Sequence, residues 1–117
     1  MNGVFSLTGV SSGAGEEYFE DLIFGKGPFR VERIVSHGHT SPETGWYDQD
    51  QDEWALVIEG SARLVFEDGR ELSLERGEHA LIPKRCRHKV AYTSSPCIWL
   101  AIFAGALAAS GTREEII

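Results

Sequence analysis

One imidazole and one carboxylate in this chain sit at positions where a strand-like run would carry them inward. In Arg87-His88-Lys89-Val90-Ala91-Tyr92-Thr93 alternate side chains share a face, so His88, Val90 and Tyr92 point one way and Arg87, Lys89, Ala91 and Thr93 the other. An inward imidazole must be hydrogen-bonded or bind something, because an unsatisfied buried polar group costs roughly 1–3 kcal/mol. Either a structural hydrogen bond or a ligand meets that need. Glu53 opens the run Glu53-Trp54-Ala55-Leu56-Val57-Ile58 and alternates with Ala55 and Val57 toward the interior. A carboxylate there requires a cation or a proton, which points to a metal or to a raised pKa that would make Glu53 a general acid or base. Just upstream, Trp46, Tyr47 and Trp54 surround the acidic run Asp48-Gln49-Asp50-Gln51-Asp52-Glu53 and could shape the entrance to a site. Asp50 and Asp52 read as solvated turn residues.

Short strand-like runs separated by turn residues position these groups, the pattern of an all-β sandwich or barrel. Strands are expected over 29–36, 54–58, 62–66, 70–74, 80–83, 87–93 and 97–103, with Asp68-Gly69 as a two-residue hairpin turn. Ala62, Leu64 and Phe66 share one face, as do Trp99, Ala101 and Phe103, the latter reading as core. Glu16 to Phe24 is expected to form about two turns of helix stopped by Gly25, a strap on the main body. The division that results is an N-terminal strand and helical strap over 1–28, a barrel over 29–104 and a tail over 105–117. Such a set of strands must solve its edge problem by closing into a barrel or a jelly roll, whose mouth can hold a small ligand.

Composition narrows the partners. With 117 residues and 42% hydrophobic content the chain suits one domain. The formal charge of -7, without a basic stripe, opposes nucleic acid. No run approaches the ~18 apolar residues of a membrane span, and the start has no secretory leader, so no membrane partner is expected. Cys86 and Cys97 have neither metal-knuckle spacing nor the density of a secreted scaffold and read as reduced thiols of a cytoplasmic protein.

The stretch from Arg33 to Phe103 resembles the cupin family, small double-stranded β-helix (jelly-roll) barrels whose two motifs usually supply a metal site. The second motif maps as Gly77, Pro83, Arg85 and His88, with Arg85 where the family has glycine. The closing half of the first motif maps as Glu53 and Gly60, and the family spacing puts Tyr47 and Gln49 where two histidines usually stand. His37-Gly38-His39 lies too far upstream of Glu53 to replace them, although the loop could fold His39 back over the mouth. The resemblance therefore implies Gln49, Glu53 and His88 as ligands of a divalent transition metal, a mixed nitrogen and oxygen set suited to Mn, Fe, Ni or Zn. Tyr47 and Glu53 become the candidates for catalysis, and Trp46, Tyr47, Asp48, Tyr92 and His39 for contacts with a small-molecule ligand. Without metal, the same groups would form a hydrogen-bonded pocket for a sensing module or for a sugar isomerase or epimerase. The resemblance further implies a homodimer, to which the strand-like Val4-Phe5-Ser6-Leu7 could contribute.

Overall fold

A computed structural model describes residues 4, 6–10, 15–24 and 29–107. Eight strands and no helix occur among them: β1 (Tyr18–Phe24), β2 (Phe29–Ser36), β3 (Asp52–Glu59), β4 (Ala62–Phe66), β5 (Glu71–Leu74), β6 (His79–Ile82), β7 (His88–Thr93) and β8 (Cys97–Ala104). They form a five-stranded sheet, β1-β2-β8-β3-β6, and a three-stranded sheet, β5-β4-β7, with antiparallel pairing throughout. Between the sheets Ala55, Val57, Leu64, Phe66, Ile82 and Trp99 build the core, which is where alternation places an apolar side chain at every second strand position.

The expected helical strap is a strand. Tyr18-Phe19-Glu20-Asp21-Leu22-Ile23-Phe24 fits a helical face locally, but β2 would otherwise present an open edge, and pairing with it satisfies both backbones. The register sets Phe19 beside Ile34 on the inner face and Glu20 beside Arg33 on the outer, where the Arg33 guanidinium meets the Glu20 carboxylate at 2.6 Å. A bulge at Leu22 shifts that register once. Arg33 also donates to the carbonyls of Leu7 and Gly9, tying residues 6–10 to the outer side of β2 as a turn. Met1–Gly3 and Phe5 of the expected N-terminal strand lie outside the described residues, as do 11–14, 25–28 and residues 108–117 of the tail.

Two turns orient the strands that carry the site. Gly60 follows β3 at φ +83°, and a Cβ there would collide with Ser94 Oγ and the Pro96 carbonyl, so only glycine fits. Before β7, Arg85 occupies the left-handed region at φ 63°, with its side chain largely exposed. The hairpin at Asp68-Gly69 forms as expected, Gly69 N–H donating to the Phe66 carbonyl at 2.9 Å.

A row of matched residues crosses the five-stranded sheet. Arg30, Phe103, Glu53 and Ile82 lie side by side, and the next inward row is Glu32, Ala101, Ala55 and Ala80. The first row brings charge to the interior, and the short side chain of Ala55 in the second leaves space beside it.

Candidate functional site

That space is a cavity of about 380 Å³ between the sheets, within the ordinary range for a small-molecule site. Its walls include Tyr47, Gln49, Glu53 and His88. Tyr47 and Gln49 reach it from the loop that follows β2. This loop runs beside β7: Tyr47 and His88 exchange backbone hydrogen bonds at 2.8 and 3.1 Å, Ser41 and Val90 do so at 3.1 and 2.8 Å, and Arg85 N–H donates to the Gln49 carbonyl at 2.7 Å. The loop thus behaves as an irregular strand, and alternation turns Tyr47 and Gln49 in while Trp46 and Asp48 face away.

His88 is 3% exposed, and its Nδ1 lies 2.8 Å from the Cys86 carbonyl. A carbonyl only accepts, so Nδ1 carries the proton and Nε2 keeps its lone pair. That lone pair is 3.8 Å from Glu53 Oε1. Burial pushes the imidazole pKa down, opposed by the Cys86 hydrogen bond, so His88 is neutral at pH 7. Glu53 is 8% exposed. Burial is the main cause that raises its pKa to about 7; the Gln49 amide and Arg30 act against the rise, and Glu32 adds to it. The Gln49 Nε2 nevertheless completes no hydrogen bond of good geometry and is buried without a partner. The Tyr47 phenol is raised by burial and partly offset by the Ser41 hydroxyl, so it stays a neutral donor. Its ring lies 5.5 Å from that of His88.

The other sequence candidates are elsewhere. Asp48 pairs with Arg85 at 3.1 Å and Arg87 at 3.4 Å, and Trp46 is covered by the Lys89 ammonium at 4.5 Å. His39 accepts from the His37 backbone N–H at 2.8 Å, while its own carbonyl accepts from the Thr93 hydroxyl at 2.6 Å; its ring is held by the loop and is not part of the cavity wall. Tyr92 is 48% exposed on the outer surface. A bulge at Ala91 is the reason: β7 pairs Leu64 with Val90 but Arg63 with Tyr92, so the strand changes parity and Thr93, not Tyr92, turns inward. Asp52, expected in a solvated turn, is the buried first residue of β3, accepting from the N–H groups of Lys84 and Leu107, each at 2.7 Å.

Sequence reasoning missed the charged half of the cavity. Arg30 and Glu32 enter from β2 and Glu17 from just before β1. The 30, 32, 34 alternation was the available signal, but Val31, Arg33 and Val35 on the opposite face are buried too, so polarity does not mark the inner side.

As a metal site the donor set is short. Glu53 and His88 are strong donors and the Gln49 amide oxygen a weak one, and among the described residues no group of three His, Cys, Asp or Glu is placed to hold an ion. These residues do not fit a tightly held resident metal on their own.

The comparisons agree with the architecture. No curated protein matches the chain. Among solved structures, a Ralstonia eutropha JMP134 protein provisionally named a mannose-6-phosphate isomerase is 38% identical over 90% of this chain and 100% of its own, with a TM-score of 0.80. A cupin superfamily protein from Desulfitobacterium hafniense DCB-2 shares 13% identity over 80% of this chain and 82% of its own, with a TM-score of 0.67. The DMSP lyase DddQ of Ruegeria pomeroyi DSS-3 shares 18% over 80% of this chain and 49% of its own, with a TM-score of 0.65. The latter two speak for the fold alone. The family model described as "Cupin domain" matches residues 31–103, well over half of the 117, and the chain belongs to that family.

Proposed function

We propose that the cavity binds a small molecule and moves a proton on it, an isomerase or epimerase type of chemistry carried by Glu53 and His88. The observation that supports this most is the juxtaposition of a tethered imidazole, its free Nε2 lone pair 3.8 Å from a buried carboxyl, at the wall of a ligand-sized cavity. The two groups are pushed in opposite directions, so near pH 7 a vacant base stands beside a carboxyl that is protonated in about half of the molecules. His88 Nε2 takes the proton from a carbon beside a substrate carbonyl while the Glu53 carboxyl gives its proton to the carbonyl oxygen. The product is an enediol; the His88 imidazolium then returns its proton to the neighbouring carbon while the Glu53 carboxylate takes the proton of the other hydroxyl, which regenerates a carbonyl, restores both side chains and completes the isomerisation. Tyr47 donates a hydrogen bond to the developing oxygen charge. The name of the Ralstonia protein supports the reaction class.

A second reading places a divalent transition metal (Mn, Fe, Ni or Zn) on Gln49, Glu53 and His88, with substrate or water completing its shell. The buried Glu53 without a close cation favours it, as does the His88 tether, which is the orientation a metal-binding histidine uses. Such an ion would polarise a substrate oxygen.

One experiment separates the two. Chelator-treated protein is incubated in D2O with D-mannose, D-fructose, D-mannosamine and mannose 6-phosphate, and deuterium at C2 of the aldoses and at C1 of fructose is followed by proton NMR, alongside metal analysis of untreated protein and of Gln49→Ala and His88→Ala. Exchange that persists without metal and is lost in Glu53→Gln and His88→Gln supports proton transfer by these side chains. Exchange that requires stoichiometric metal, itself lost in the Gln49 and His88 variants, moves the reading to the metal form. Exchange unaffected by either substitution would sink both.

A homodimer remains part of the proposal, supported by exposed Phe19, Leu22 and Ile23 on the sheet-edge strand β1. A reducing, cytoplasmic setting is supported by two unpaired cysteines.

A further inference from the structure

The cavity carries an excess of negative charge that proton transfer does not need. Among the described residues Glu17, Glu32 and Glu53 line it against one guanidinium, Arg30. That guanidinium is already engaged: Nε donates to Glu32 at 3.2 Å, Nη1 to Gln51 Oε1 at 3.0 Å, and its plane covers the Phe103 ring 3.9 Å from the centroid. An anionic ligand would meet the Glu17 carboxylate, the Arg30-paired Glu32 and, when ionised, Glu53 in a low-dielectric space, with no free cation among the described residues to receive it, a repulsion larger than in water. The lining also includes Trp99, Phe103 and, at the rim, Phe19, rings whose faces attract cations. Phe103 shows this already by holding Arg30.

We infer that the ligand of this cavity is a compact organic cation, an amine or quaternary onium group on a largely apolar body, and that phosphorylated sugars and other anions are excluded. The inference rests on the cavity being the ligand site, and separates this chain from what the name of the Ralstonia protein implies about substrate charge. The apolar body packs against Leu64, Ile82 and Val90, and the cation faces Glu17, whose carboxylate also accepts the Ser36 hydroxyl, beside the Arg30-paired Glu32.

The test uses three probes with one body: cyclohexylammonium, cyclohexanol and cyclohexyl phosphate, with mannose 6-phosphate as a fourth, titrated calorimetrically into the full chain at pH 7.5. Cyclohexylammonium is expected to bind at least tenfold more tightly than cyclohexanol, with no saturable binding of either phosphate. Glu32→Gln should reduce the preference for ammonium over alcohol roughly three- to tenfold, the effect of one charge at close range with substantial screening. Phosphate binding as tight as ammonium binding overturns the inference. Equal affinity for ammonium and alcohol also overturns it while leaving the proton-transfer site intact, and failure of every probe to bind overturns both. Glu17→Gln, at the cavity edge, gives a second measurement should Glu32→Gln fold poorly.

Discussion

Asp52 and Glu53 are adjacent carboxylates, each 8% exposed, and they titrate in opposite directions. Asp52 points away from the cavity and receives two backbone N–H groups, from Leu107 and Lys84, which hold its pKa below the usual range. Glu53 points into the cavity, where burial outweighs the help of Gln49 and Arg30 and carries it to about 7. The two residues are equally exposed as wholes, but their carboxylates are not equally desolvated: that of Glu53 lies deep in the cavity and burial dominates its shift, whereas that of Asp52 escapes most of this penalty and is met by two backbone donors. A carboxylate supplied with hydrogen bonds ties turns together, whereas one deprived of them is left reactive, and a single step along β3 separates the two conditions.

That contrast gives opposite pH signatures. The raised pKa of Glu53 means its contribution to stability is fully present below its unfolded value and is lost as pH rises from about 4.5 through about 7. The corresponding penalty reaches roughly 3 kcal/mol above pH 7, an upper figure. Glu53→Gln should therefore stabilise ligand-free, chelated protein by up to about 3 kcal/mol at pH 8 and have little effect near pH 4.5, measured by urea unfolding, while abolishing proton exchange. Equal effects at both pH values would break the comparison. The next effect in size has the reverse sign. Asp52 has a depressed pKa, so its contribution is present above the unfolded value and fades as pH falls through the folded one. Asp52→Ala should lower Tm at pH 7, and the loss should shrink as the acid limb is approached. An unchanged Tm at pH 7 would show that the two backbone donors find water equally well.

The turn that offers Lys84 N–H to Asp52 also contains Arg85, whose left-handed conformation costs roughly 1 kcal/mol for a residue with a Cβ. Arg85→Gly should gain about 0.5–1 kcal/mol, since the exposed pair with Asp48 contributes little and unfolded-state freedom offsets part of the relief. A loss of stability instead would assign the Asp48 pair a part in holding the Asp52 donor. Smallest of all, Tyr92→Ser should change stability by less than about 0.5 kcal/mol and leave cyclohexylammonium binding untouched, because the ring is on the outer surface. Weakened binding would return Tyr92 to the site.

Glu53 and His88 were legible because both occupy the inward phase of strands whose other inward residues are apolar, and Gly60 because its turn admits no side chain. The all-β architecture followed from the same alternation and from the turn residues between strands. β1 was not legible because its local pattern serves either period and only the open edge of β2 decides. Tyr92 was misplaced because one extra residue at Ala91 reverses the parity of β7, a shift that no residue type announces. The partners of Asp52 arrive from 32 and 55 positions along the chain, so its role depends on contacts that the local sequence does not encode.

The alanine row of the large sheet has one more consequence. Ala55 lines the cavity together with Glu53 and Phe103 and pairs with Ala101 of the adjacent strand, each alanine almost wholly enclosed. Every methylene added at Ala55 would subtract from the cavity volume. Ligand size is then gauged by a residue that takes no part in the reaction, and successive substitutions at Ala55 could re-tune which molecules fit while the chemistry stays as it is.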